Sequence, residues 1–332
     1  MQEVQQTNNL LTTCPKEIPI HFVSALYNAQ PAARADYVPK EIVHDTFPKS
    51  LEIVAHAAIH QAKANRIRGK NIQYKYTLYT EAALADDLRD EIKKVEQKLA
   101  EIYGEMATAV FDVEVNAVDV PDIVEEFYFH HRVVRTNNIR LPSHRNPLKD
   151  GAKFLQMINC KVQLLKRVAA VTNAQYVMWI DAGFAKVLDK PVKPLASGIR
   201  FRDFLFTAVS VLNFERQYDC AACGCLERSI HGYHPYEWYN MPDWRYMGGW
   251  FIVRKTTAEF VAQSIAEMVT QTWMQEFVQS GEGRLTYESC IWAQLFDCRP
   301  RTQSTPMCKW VYSDTDERFL SFENVSNGKL QV

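Results

Sequence analysis

The chain carries no surplus of either charge: 38 Lys and Arg face 39 Asp and Glu, a formal net charge of −1 over 332 residues. No excess of cations is available to neutralise a run of phosphates, which argues against bulk nucleic-acid binding and leaves only a local basic cleft. Long hydrophobic runs are missing as well. None reaches the roughly 18 residues of a membrane span, and the opening MQEVQQTNNL has neither the basic flank nor the apolar stretch of a signal peptide. The expectation is a cytoplasmic protein without a transmembrane segment, for which peripheral membrane contact stays compatible. With 12 Gly and 14 Pro the chain is neither collagen-like nor a linker. Its eight cysteines (Cys14, Cys160, Cys220, Cys223, Cys225, Cys290, Cys298, Cys308) are too dilute for a disulfide scaffold and are expected to be reduced, most of them buried. Neither G-x-G-x-x-G nor a P-loop occurs, which sets aside the common dinucleotide enzymes and P-loop NTPases.

What is present suits a folded core: 47% of residues are hydrophobic and 23% charged, so general disorder is excluded. Ile20 onward (IHFVSALYN) reads as a buried first strand whose C-terminal end is a natural ligand edge. Leu51 to Ala64 has helical spacing, Tyr74 to Thr80 alternates as a strand, Glu81 to Tyr103 reads as helix, and Val110 to Val115 is strand again. That rhythm is the one of a mainly parallel sheet covered by helices. Asn137 to Gly151 breaks every period and reads as a basic surface loop, with Arg140, Arg145, Lys149 and, just beyond it, Lys153. A helix from about Ala152 to Val171, a strong strand ending Trp179-Ile-Asp-Ala-Gly, an apolar run Phe204 to Leu212, a strand Tyr246 to Arg254 and helices Thr256 to Gln271 and Tyr287 to Phe296 complete the pattern. No repeat or linker divides it, so residues 18–332 are expected to form one domain behind a tail, residues 1–17.

Asp181 closes the most apolar strand and is followed by Ala182 and Gly183. A carboxylate there stands where parallel sheets bind ligands, and the small residues let a bulky group approach; capping or pairing with a buried cation is the structural alternative, at even weight. Gly248-Gly249 inside an apolar strand costs roughly 1 kcal/mol per glycine and calls for a close approach by ligand or backbone. From Tyr218 to Phe251, nine of 34 residues are aromatic, Trp244 and Trp250 among them. Such rings stack on sugar C–H faces, or else form a hydrophobic cluster under a loop. Cys220, Cys223 and Cys225 with His231 and His234 could supply zinc ligands, but the spacing fits no known finger or ribbon and buried thiols are the preferred reading.

The helix with Asn159-Cys160-Lys161, then Met178-Trp-Ile-Asp-Ala-Gly, then Gly248-Gly249-Trp250-Phe251 resemble the HtrL/YibB family, bacterial proteins that look like GT-A glycosyltransferases. The resemblance runs in order and spacing from about residue 20 to residue 300, with close identity confined to WIDAG and the paired glycines. It implies a GT-A-like α/β fold, a mixed and mainly parallel central sheet flanked by helices, and transfer of a sugar from a nucleotide-sugar donor to a saccharide or lipid-linked acceptor, as in surface polysaccharide synthesis. The donor would lie over the first strands (Ser24, Ala25, Tyr27, Trp179, Asp181, Gly183), with Arg145, Lys153 and Lys161 as cations for its diphosphate. Trp244, Gly248, Gly249 and Trp250 would meet the acceptor.

In that family frame Asp181 takes the place of an acidic motif that holds Mn²⁺ or Mg²⁺ against the diphosphate. Here one carboxylate stands where a full motif has two, and no histidine follows His234. Metal binding by Asp181 and charge balance by the basic residues alone therefore both stay open, solvated surface charge being the plain reading of the basic loop. Asp243 and Glu288 are the acids available as general base, against turn-capping and helix-dipole roles respectively. Two other functions compete: a non-catalytic carbohydrate-binding protein on a degenerate transferase scaffold, and a hydrolase using Asp181 and Glu288 as paired carboxylates.

Overall fold

Alternation along short apolar strands decides the architecture, because both faces of these strands are covered. The computed structural model describes residues 16–27, 42–119, 122–123, 139–143, 145, 150–185, 221–225, 246–288 and 291. Six strands form the central sheet: β1 (Ile20–Leu26), β2 (Tyr74–Thr80), β3 (Phe111–Ala117), β5 (Tyr176–Ile180), β6 (Ala221–Cys225) and β7 (Tyr246–Arg254), in the order β3-β2-β1-β5-β7-β6. β1, β2, β3 and β5 are mutually parallel, whereas β7 runs antiparallel to both of its neighbours. A two-residue pair, β4 (Ile139–Arg140) with β8 (Gly283–Arg284), lies apart from it. The fold class expected from the sequence is the one found: α/β, with a mixed, mainly parallel sheet flanked by helices.

Even-numbered residues of β1 and β5 face one way and odd-numbered ones the other. Ile20, Phe22, Met178 and Ile180 join Tyr74, Tyr76 and Leu78 of β2 in a core with α1 (Phe47–Ile67) and α2 (Ala82–Tyr103). Val23, Val177 and Trp179 join Phe251 and Val253 in a second core with α4 (Ala152–Asn159), α5 (Lys161–Val171) and α6 (Ala258–Ser280). The five-residue helix α3 (Met106–Val110) leads directly into β3. Each fully buried side chain of this kind contributes about 1.5–3 kcal/mol, so neither face can be uncovered cheaply.

Three sequence expectations are corrected. The helix expected over 152–171 breaks at Cys160, which takes φ −81°, ψ −2° and sends its N–H back to the carbonyls of Gln156 and Met157. The break frees Asn159 to donate from Nδ2 both to Leu155 O (2.8 Å) and across the fold to Thr286 O (2.9 Å). The segment 137–151 is not wholly surface loop: Ile139–Arg140 pairs with Gly283–Arg284, and Pro142 and Asp150 are buried. Helix α6 runs nine residues past its expected end, because nothing between Gln271 and Ser280 interrupts it. Phe204 to Leu212 lies outside the described residues. Cys160 is a buried thiol rather than half of a disulfide, as expected of a reduced cysteine.

His21 sits on β1 between two hydroxyls, Nδ1 at 2.9 Å from Thr172 Oγ1 and Nε2 at 2.8 Å from Thr77 Oγ1. Burial, helped by the nearby Lys75 charge, lowers its pKa from 6.5 to about 4. The folded state thus resists a proton that the unfolded chain accepts, so stability is full above pH 6.5 and falls as the pH drops towards 4. Urea unfolding of the wild type should lose up to about 3 kcal/mol over that window beyond what a folded His21→Gln variant loses. Parallel pH profiles for the two proteins would refute this role for His21.

Candidate functional site

From β1 the chain moves outward through β2 to β3, then returns to place β5 on the other side of β1. At such a switch point the C-terminal strand ends part and leave a crevice. The last β1–β5 pair is Val23 with Trp179, so two residues further on Ala25 stands level with Asp181. β7 reaches the same edge from the opposite direction. It pairs Phe251 with Trp179 and Trp250 with Ile180, and the register continued by one residue sets Gly249 beside Asp181. Ser24, Ala25 and Tyr27, the Trp179–Gly183 segment and the paired glycines, distant in sequence, are thereby gathered at one end of the sheet.

Asp181 follows Trp179 on the same face of β5, where α4, α5 and α6 pack. The Trp179 indole N–H donates to Asp181 Oδ1 at 2.7 Å. Lys161, the first residue of α5, brings Nζ to 3.0 Å from the same oxygen and 2.9 Å from Glu288 Oε1. The Lys161 and Glu288 side chains are 7% and 10% exposed and that of Asp181 is 41% exposed, so one member of the trio opens to the crevice. Burial opposes the Lys161 charge, but the Asp181 and Glu288 carboxylates override it and hold the ammonium above the ordinary lysine range. The trio carries one positive and two negative charges, and its uncompensated charge lies on the side that Asp181 exposes.

A buried clamp holds Glu288 in place. Asn159 fixes Thr286 through its carbonyl, and the Tyr287 hydroxyl donates to Asp150 Oδ2 at 2.6 Å. These contacts, like the central role of Lys161, were not read from the sequence, since the partners are 127 or 137 residues apart. One signal was available: Lys161 shares the apolar helical stripe of Leu164, Leu165 and Val168, where a lysine needs a buried partner. Two buried polar atoms nearby find no hydrogen-bond partner among the described residues, Asn159 Oδ1 and the Tyr27 hydroxyl. Burial, with Tyr79 beside it, pushes the Tyr27 hydroxyl above the usual tyrosine range.

The other expected residues make contacts of their own. Arg145 Nη1 donates to Pro142 O at 3.1 Å within its own loop, and Lys153 is exposed near the start of α4. Lys161, expected to face a diphosphate, is instead buried between two carboxylates. Trp179 is 2% exposed and meets the site through its N–H rather than through an open ring. Gly183 does not take the left-handed conformation, and a methyl group there would meet Thr46 Cγ2 at an ordinary 3.8 Å, so the turn itself does not require glycine. Asp243, Trp244, Cys220, His231 and His234 lie outside the described residues. Cys223 and Cys225 flank a register shift in β6.

Among the described residues no group of three or more His, Cys, Asp or Glu side chains is placed to hold a metal ion. Asp181 Oδ1 already accepts from an indole and an ammonium, and Glu288 Oε1 from the same ammonium. A dication bound here would stand beside a fixed positive charge. The described donors at this edge do not by themselves make a cage for Mn²⁺ or Mg²⁺.

No protein-family model and no curated protein sequence matches the chain. Among solved structures it is similar to mouse xyloside xylosyltransferase 1 in its apo form, with a TM-score of 0.39 and 8% identity, over 85% of this chain and 83% of that one. No described helix is long and apolar enough to cross a membrane.

Removing the ammonium alone would leave Glu288 buried and unpaired. Lys161→Met should therefore cost about 3–5 kcal/mol in urea unfolding at neutral pH, and Lys161→Met combined with Glu288→Gln should recover most of it. Equal losses in the single and double variants would show that Lys161 does not neutralise Glu288.

Proposed function

We propose that the chain is a glycosyltransferase that binds a nucleotide-sugar donor in the crevice between β1 and β5 and transfers its sugar to a saccharide or lipid-linked acceptor. One observation carries the reading: a half-exposed carboxylate, Asp181, is fixed at the sheet's switch point by a buried lysine and an indole N–H. Held from behind, Asp181 keeps its other oxygen for hydroxyl groups of a ribose or hexose, which donate hydrogen bonds to an anion. The Tyr27 hydroxyl on the β1 side, without a hydrogen-bond partner among the described residues, offers a second polar contact. The HtrL/YibB resemblance of the same WIDAG segment adds family-level support.

In this reading Lys161 and Glu288 act behind Asp181 as positioning residues. The ammonium orients the carboxylate, while Glu288 holds the ammonium. Arg145 and Lys153 remain the cations proposed for the donor diphosphate, and Gly248-Gly249 leave space for the acceptor next to Asp181. Activation of the acceptor hydroxyl is assigned to Asp243, a carboxylate just ahead of β7; Glu288, tied to Lys161, is poorly placed to take a proton.

A thermal-shift panel of nucleotide sugars and oligosaccharides on the full chain, followed by donor hydrolysis assays, tests the proposal. At least one nucleotide sugar should raise the melting temperature and be turned over, with a loss on the order of 10²-fold in a folded Asp181→Asn variant. Stabilisation by oligosaccharides alone, without turnover of any donor, would reject transfer and favour the carbohydrate-binding alternative.

A further inference from the structure

On the opposite flank of the sheet, α1 and α2 run side by side and are fastened by polar pairs. Lys98 Nζ meets Glu52 at 2.7 Å, and His44, in the turn just ahead of α1, brings Nδ1 to 2.8 Å from Glu91. At the far end the pattern changes. His56 and His60, one turn apart on α1, turn ring nitrogens towards the same atom of α2: His56 Nδ1 lies 2.7 Å and His60 Nε2 3.2 Å from the Tyr103 hydroxyl oxygen. Gly104, at φ 60°, stops α2 one residue later and fixes where Tyr103 stands.

We propose that His56, His60 and Tyr103 form a binding site for a divalent transition metal of the zinc class, separate from the sheet-edge crevice. In a tetrahedral zinc site with bonds of about 2.0–2.1 Å, donor atoms stand about 3.3 Å apart; the His60–Tyr103 separation of 3.2 Å already matches this, and the His56–Tyr103 separation of 2.7 Å has to open by about 0.6 Å. Two imidazoles at i and i+4 on a helix supply nitrogen donors from one face. The phenol is the third donor, losing its proton to solvent when it ligates, and the Lys63 ammonium stands 4.6 Å from the ring centroid. His60 is exposed and His56 and Tyr103 are half-buried, so an ion can reach the site and a water can complete its shell. The bound metal would tie α1 to α2.

Isothermal titration of the full chain with Zn²⁺ tests this, using His60→Ala and Tyr103→Phe. The wild type should bind one equivalent more than His60→Ala, which also discounts any zinc taken by cysteines elsewhere, and Tyr103→Phe should bind that equivalent about tenfold or more weakly. Circular dichroism of both variants should match the wild type. No zinc uptake by the wild type, the same stoichiometry and affinity in His60→Ala, or unchanged affinity in Tyr103→Phe would overturn the site.

Discussion

The Lys161 ammonium is the point on which the sheet edge depends. It lies where water cannot solvate it, and it keeps its charge because two carboxylates from remote parts of the chain meet it at 2.9 and 3.0 Å. Desolvating an ion costs several kcal/mol, so such a group is tolerated only if its partners arrive in good geometry. Each requirement therefore propagates. Glu288 needs Tyr287 on Asp150 and Thr286 on Asn159, Asn159 needs the helix break at Cys160, and Asp181 needs the indole of Trp179.

The sheet supplies the frame for that charge. β1 is central because it is apolar on both faces and pairs in parallel on both sides, and this creates the parting of strand ends where Asp181 lies. β7, inserted antiparallel, brings Gly248 and Gly249 to the same edge from a segment that parallel crossovers alone would have sent to the far end. The backbone of the two glycines thus stands beside the strand end that carries Asp181.

Local pattern was enough for the strands. β2 and β7 occupy the stretches where alternation and apolar content predict them, and α2 starts one residue from its expected position, since each signal lies within the element itself. The helix break at Cys160 was not legible, because no glycine or proline marks it and the Thr286 carbonyl that Asn159 meets beside it lies 127 residues away. The same distance hid the Lys161–Glu288 pair, so an ammonium on an apolar stripe read as a cation for substrate. Asp181 was legible as a strand-end acid, but sequence could not separate ligand contact from pairing with a buried cation. In the structure it has the pairing, and it keeps an exposed face.

The parallel register of β1 with β5 also governs how the chain must be assembled. As the protein leaves the ribosome, β1, β2 and β3 can pair early, but the other edge of β1 has to wait for residue 176. At about 5–20 residues per second that edge stays open for several seconds, an apolar row of unsatisfied backbone groups on a nascent chain. Chaperone engagement, or a pause while α4 and α5 emerge, would cover that edge until Tyr176 arrives to pair with Ile20.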